Sequence, residues 1–266
     1  HFTAPEDGTF VVRVADARGF GSDRSAYRLV VREAEPGFRV TLEGVPAMVA
    51  PGSGQSFSVS AERIDGFEGA ITVALDHLPD GWRASTPLVI EAGHPRATGT
   101  LVAAADATTP GDAAWDAVTV VATGAPDGRP VAMAAGNLGR PKLAKDLAKL
   151  RVTLRPDGVP SDAPAVIDIA PGTTVTARLS VKRNGFDGVV RFEVENLPHG
   201  VIVADLGLNG ITLLENESER TIFINAARWV ADLDRPVHAV ETATGRQTSM
   251  PVTLRVRKKM GQAKGP

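Results

Sequence analysis

The sequence contains no cysteine, which excludes disulfide frameworks, cysteine-ligated zinc and thiol nucleophiles together. Aromatic residues are few, with 9 Phe, 3 Trp and 1 Tyr among 266 residues. Any sugar-stacking surface therefore rests on Trp82, Trp115 or Trp229. Neither charge dominates: 29 Lys+Arg face 31 Asp+Glu, a net charge of −2. At chain scale nothing attracts nucleic acid or anionic lipid. No apolar run approaches the ~18 residues of a membrane span. Also missing are a G-x-S-x-G elbow, H-E-x-x-H, a P-loop and a complete G-x-G-x-x-G. The histidines His1, His77, His94, His199 and His238 form no close pair at ligand spacing. The chain opens at His1 with neither an initiator Met nor a signal-peptide pattern, as expected of an excised or processed piece.

What is present is period-2 alternation in short runs separated by Gly, Pro, Asp and Asn. Phe38, Val40 and Leu42 alternate with Arg39, Thr41 and Glu43. Ile71, Val73 and Leu75 alternate with Thr72, Ala74 and Asp76. Such runs fit antiparallel strands with one face buried and the other wet. Hydrophobic residues make up 43% of the chain, enough for real cores. Helical spacing is nearly absent. Its nearest instance, Leu143, Leu147 and Leu150, predicts one helical turn at 143–149. The expected fold class is all-β.

An internal repeat sets the organisation. Gly66-Phe67-Glu68-Gly69 recurs 119 residues later as Gly185-Phe186-Asp187-Gly188. Leu78-Pro79-Asp80-Gly81 recurs at the same offset as Leu197-Pro198-His199-Gly200. Ile71, Val73 and Leu75 fall on Val190, Phe192 and Val194, so the register of buried and exposed faces is kept. Ala50-Pro51-Gly52 matches Ala170-Pro171-Gly172, and Ala104-Ala105 matches Ala226-Ala227. Ala122-Thr123-Gly124 matches Ala243-Thr244-Gly245. Each copy spans roughly 100 residues and offers about seven short strands, the pattern of an immunoglobulin-like sandwich. Two tandem immunoglobulin-like antiparallel β-sandwiches are expected, at 36–139 and 150–257. Residues 140–149 read as a basic linker and 258–266 as a disordered tail. Between the acidic copies, Arg140 to Arg155 carries six basic residues and one acid, Asp146. Such a run reads either as a solvated linker or as a docking strip for an acidic partner.

Residues 1–35 belong to neither copy. Asp7-Gly8-Thr9-Phe10-Val11-Val12-Arg13-Val14 predicts a turn entering a strand near 9–15, and Tyr27-Arg28-Leu29-Val30-Val31 a second near 26–32. This D-G-x-[YF]-x-V-x-V run, polar loop and closing Y-x-L resemble the end of the bacterial pre-peptidase C-terminal domain. That domain is a small non-catalytic β-sandwich appended to secreted proteases and other exported proteins. The G-F-[DE]-G and L-P-x-G units that follow are similar to immunoglobulin-like modules of large bacterial surface and secreted proteins. The resemblance implies an N-terminal partial β-sandwich segment and export to the extracellular space, cell surface or periplasm. It also implies an accessory role, and it transfers no catalytic residue.

No catalytic residue, cofactor or metal is expected. Asp205, Gly207, Asn209 and Gly210 imitate a calcium loop, but Gly207 and Asn216 stand where an oxygen ligand and the bidentate Glu are needed. Glu68 and Asp187 sit between turn glycines, too few oxygens for a calcium shell. Phe67 and Phe186 are expected to plug the ends of their sandwiches. Trp82 falls on Val201, a strand start, and is expected in the core. Trp115 and Trp229 fall on Pro236 and Ala107, positions the repeat does not dictate, which makes them the ligand-binding candidates. The expected function is a non-catalytic spacer, stabilising or adhesive region of a larger exported protein. The alternative is a carbohydrate-binding accessory module using Trp115 or Trp229. The partners expected are the rest of the parent polypeptide and a cell-surface protein or polysaccharide, with no nucleic acid and no membrane span.

Overall fold

The computed structural model describes residues 2–159, 165–204, 206 and 210–258. Alternating runs become strands wherever a partner strand can take their backbone hydrogen bonds and a core can take their apolar face. The first copy forms β1 (Gly37–Glu43), β2 (Met48–Val49), β3 (Ser53–Ile64), β4 (Ile71–Asp76), β5 (Trp82–Ala84) and β6 (Leu88–Ile90). It continues through β7 (Arg96–Ala103), the short helix α1 (Asp112–Asp116), β8 (Thr119–Gly124), β9 (Val131–Ala134) and β10 (Lys142–Leu143). The second forms β11 (Leu150–Pro156), β12 (Val166–Ile169), β13 (Thr174–Arg183), β14 (Val190–Glu195) and β15 (Val201–Ala204). Then follow β16 (Ile211–Leu213), β17 (Glu219–Ala226), β18 (Leu233–Glu241), β19 (Gln247–Thr248) and β20 (Val252–Val256).

In the first copy the sheet β1-β3-β7-β5 faces the sheet β6-β4-β8-β9, and in the second β11-β13-β17-β15 faces β16-β14-β18-β20-β12. The chain is all-β, two tandem immunoglobulin-like sandwiches. Each has its own core: Phe57, Val59, Val73 and Leu88 sit in one, Leu154, Leu179, Phe192 and Ile224 in the other. Among the described residues the strands pair antiparallel except β2 with β10 and β12 with β20, and an isolated parallel bridge joins Pro51 to Ala103.

The repeated motifs are structural devices. In Ala50-Pro51-Gly52 and Ala170-Pro171-Gly172, the amide of the following residue donates to the alanine carbonyl at 3.1 Å in both. Gly52 and Gly172 have φ of +68° and +76°, the type II turn that Pro then Gly favours. In G-F-[DE]-G the last glycine makes room for the phenyl ring: a Cβ on Gly69 would lie 2.7 Å from Phe67, and one on Gly188 3.0 Å from Phe186. Phe67 is buried and Phe186 half-buried against its core. One arginine before each motif ties the loop down. Arg63 Nη1 donates to the carbonyl of Gly69 at 2.6 Å and Nη2 to that of Glu91 at 2.8 Å. Arg183 does the same to Gly188 and Leu214, both at 2.7 Å. Rigid planar donors suit this role, because one guanidinium can satisfy several loop carbonyls at once.

Several expectations change. Residues 2–36 form no strand, so the runs at 9–15 and 26–32 stay unpaired and their apolar side chains, Phe10, Val12, Tyr27 and Leu29 among them, are exposed. They alternate correctly but meet no partner strand in this chain. The helical turn at 143–149 does not form; Leu143 pairs in β10, Leu150 in β11, and Leu147 is exposed. The connector is anchored instead of free. The amides of Lys142 and Ala144 donate to Ala47 and Val49, and Asn184 grips the carbonyls of Ala148 and Lys149. One repeat match is coincidental. Val73 pairs with Ala122 and its equivalent Phe192 with Glu241, so Ala122-Thr123-Gly124 lies in a strand whereas Ala243-Thr244-Gly245 lies in the loop beyond one. The alanine match is off by one: Trp82 pairs with Ala103 and Val201 with Ala226.

The two sandwiches share a seam. Strand β19 pairs with β18 of its own sandwich and with β3 of the first, Gln247 opposite Gln55 and Thr248 opposite Gly54. One hydrogen-bonded sheet thus runs through both copies.

Candidate functional site

The seam brings polar side chains of both copies into contact. Ser53 Oγ donates to Gln247 Oε1 at 2.8 Å, and the hydroxyls of Thr100 and Thr248 bond to each other. Ser56 Oγ donates to Glu195 Oε2 at 2.7 Å, and His238 Nε2 lies 3.1 Å from the same oxygen. His238 is fully buried, and its Nδ1 has no hydrogen-bond partner among the described residues. Burial pushes the Glu195 carboxyl up, but hydrogen bonds from His238 and Ser56, with the charges of His238 and Arg246, hold it below its ordinary value. Paired in this way with a fully buried histidine, a half-buried carboxylate favours one docking geometry.

At one end of β7 the seam opens into a cleft of about 340 Å³, lined by Glu91, His94 and Arg96 of the first sandwich and His199 and Arg235 of the second. Arg235 is almost fully buried, and its Nη2 donates to Glu91 Oε1 at 2.8 Å. Burial depresses its pKa, opposed by the Glu91 charge. Glu91 also accepts the backbone amide of His199 at 3.2 Å through both oxygens. A single carboxylate of the first sandwich thereby holds a strand and a loop of the second.

Trp229 stands beside this cleft. It is 63% exposed, and its ring lies 5.0 Å from that of His199, which in turn lies 5.3 Å from His94. Gly200 makes this possible: its φ is +86°, and a Cβ there would lie 2.4 Å from the indole. Two histidines from turns more than a hundred residues apart thus extend the tryptophan into one aromatic edge. No sequence signal joins them, because the two sandwiches meet only through the tertiary seam.

Trp115 goes elsewhere. It is 4% exposed, on α1, packed edge-to-face on Trp82 with ring centroids 4.9 Å apart. Arg140 clamps the same helix through Asp112 and Asp116 at 2.6 and 2.9 Å. A buried indole offers no face to a sugar, so of the two candidates only Trp229 lies open to a ligand. Trp82 is in the core as expected. Of the calcium-like stretch, Asp205, Gly207 and Asn209 lie outside the described residues, as does the tail beyond Lys258. Among the described residues no group of three or more His, Asp or Glu could hold a metal ion, and no helix is long and apolar enough to cross a membrane.

No protein-family model matches the sequence, and neither does any curated protein. Among solved structures the chain is similar to domains 5-6 of the S-layer protein SbsC, at 14% identity over 85% of this chain and 100% of that one, TM-score 0.27. It is similar to the D0-D1 domain of intimin, at 14% identity over 81% and 96%, TM-score 0.28. Fibronectin(III)-like modules of Clostridium thermocellum CbhA match at 13% identity over 85% and 97%, TM-score 0.23. At these TM-scores the likeness is loose, and the fold class rests on the strand pairing and the two cores.

Proposed function

We propose that residues 36–139 and 150–257 are two modules of a non-catalytic spacer in a larger exported protein, with 140–149 a short anchored connector. On this reading residues 1–35 are the closing strands of a pre-peptidase C-terminal-type sandwich, and the pair works outside the cytoplasm as a stabilising or adhesive element. The observation that carries the proposal is the seam. Two sandwiches joined by a bridging strand and a buried polar cluster hold a fixed angle, which a spacer needs and a flexible string of modules lacks. Residual dipolar couplings measured over 37–258 test it. Couplings from both sandwiches should fit one alignment tensor, and two different tensors would overturn the rigid-spacer reading.

A second reading is a carbohydrate-binding accessory module, supported by the exposure of Trp229 and the imidazoles beside it. A glycan array probed with the chain and with Trp229→Ala tests this. Signals that vanish in the variant support it, and a blank array for the unmodified chain removes it.

A further inference from the structure

A second pocket opens at the other end of β7, about 590 Å³ in volume, and it too is lined by both sandwiches. Its walls follow from strand alternation. On β11, Val152 and Leu154 point into the second core, which turns Arg151, Thr153 and Arg155 outward. On β5, Trp82 points into the first core and turns Arg83 outward beside its cross-strand partner Val102. The outward faces meet across the seam, so three guanidinium groups line one concavity whose walls include Val102 and Met250. Asp106 is the one carboxylate in its lining among the described residues.

Pairing separates this pocket from an ordinary charged surface. Residues 38–139 hold 5 basic and 11 acidic residues, so partners for cations are plentiful. Arg39 pairs with Glu62, Arg63 binds loop carbonyls, and Arg140 takes two aspartates. The guanidinium groups of Arg83 and Arg151, by contrast, make no hydrogen bond or ion pair among the described residues. Arg151 and Arg155 close the basic run whose sequence reads as a strip for an acidic partner. The fold directs them into the seam and adds Arg83 from a distant strand.

We infer that this pocket is a binding site for a small organic polyanion, one that presents carboxylate, sulfate or phosphate oxygens to Arg83 and Arg151 and rests its body on Val102 and Met250. Guanidinium groups pair with such oxyanions through two parallel hydrogen bonds. A ligand held by both sandwiches would also brace the seam. The inference stands apart from the spacer reading, since a site can bind whether or not the joint is rigid.

Isothermal titration of the full chain with citrate, trigalacturonate and inorganic phosphate, with neutral maltotriose alongside, tests the site. Saturable binding of citrate or trigalacturonate is expected, weakened by about ten-fold or more in the Arg83→Gln, Arg151→Gln pair. Arg39→Gln, away from the pocket, should leave it unchanged. Because both arginines are exposed the paired variant should fold, and Arg83→Lys with Arg151→Lys, which keeps the charge, should recover part of the affinity. Tighter binding of citrate assigns a free small anion, and tighter binding of trigalacturonate assigns an acidic glycan. The inference is overturned if neither carboxylate saturates by roughly 10 mM, if phosphate alone binds, if maltotriose binds equally well, or if binding survives the paired glutamine variant.

Discussion

Gly54 of the first sandwich lies directly against Thr248 of the second, their backbones paired across the seam. A Cβ at Gly54 would stand 2.4 Å from Thr248 Oγ1, 2.6 Å from Val102 Cγ2 and 2.8 Å from Thr100 Oγ1. All three neighbours are β-branched and buried, and so cannot swing aside. Gly54→Ala should therefore force the seam apart, lowering stability by about 1–3 kcal/mol and splitting the shared alignment of the two sandwiches. Thermal melting and residual dipolar couplings check both effects; a variant with an unchanged melting temperature and one tensor contradicts the account.

The arginine ties make a matched pair of predictions. Arg63→Ala and Arg183→Ala each strip several loop carbonyls of their charged donor, at an expected cost of about 2–3 kcal/mol. Lysine at either position should recover only part of this, having no planar fork to span two loops. Urea unfolding of the four variants measures it, and full recovery by lysine would show that charge alone suffices.

The tryptophans should separate cleanly. Trp115→Ala opens the first core beside Trp82 and should cost about 3–5 kcal/mol, whereas Trp229→Ala should cost less than about 1 kcal/mol because most of its surface is already in water. Acrylamide should quench mainly Trp229, and Trp229→Phe should lose the readily quenched emission. Easy quenching that persists in Trp229→Phe would place a second indole at the surface.

Acid should weaken the second sandwich through Glu241. Its carboxylate is buried and accepts the amides of Ala243, Thr244, Gly245 and Gln247 and the hydroxyl of Thr244. Burial raises its pKa, but the bonds from Gln247, Thr244 and Ala243 outweigh this and hold it below the ordinary value of 4.5. With the folded pKa the lower of the two, the group adds stability above about pH 4.5 that fades as pH falls through the folded value. Glu241→Gln should therefore be less stable by about 1–3 kcal/mol at pH 7, with the gap shrinking toward pH 3. Urea unfolding across that range measures the gap; a constant gap would mean the charge plays no part.

Limited trypsin should cut first at Arg13, Arg18, Arg24 or Arg28, which lie in an exposed segment with no strand pairing. The connector lysines should resist longer, because β10 and Asn184 hold the backbone around them. Mass spectrometry of early fragments decides: initial cleavage at Lys145 or Lys149 would show a connector looser than its hydrogen bonds imply.

Much of this protein was legible in the sequence by itself. Alternation of Ile71, Val73 and Leu75, repeated at Val190, Phe192 and Val194, fixed strand type and buried face, since a period of two admits only one inward set. The turn motifs were legible too, because Pro before Gly constrains its own backbone locally. Decided only by the tertiary structure were the contacts between residues far apart. Nothing local in Gly54 or Thr248 says that they pair, nor in Arg83 and Arg151 that they share a pocket. The same holds for Trp115 and Trp229, both absent from the repeat, of which one is buried by α1 and the other left open beside His199. Burial of a single side chain depends on which surfaces meet, and that is set by how two complete sandwiches dock, a property no window of sequence contains.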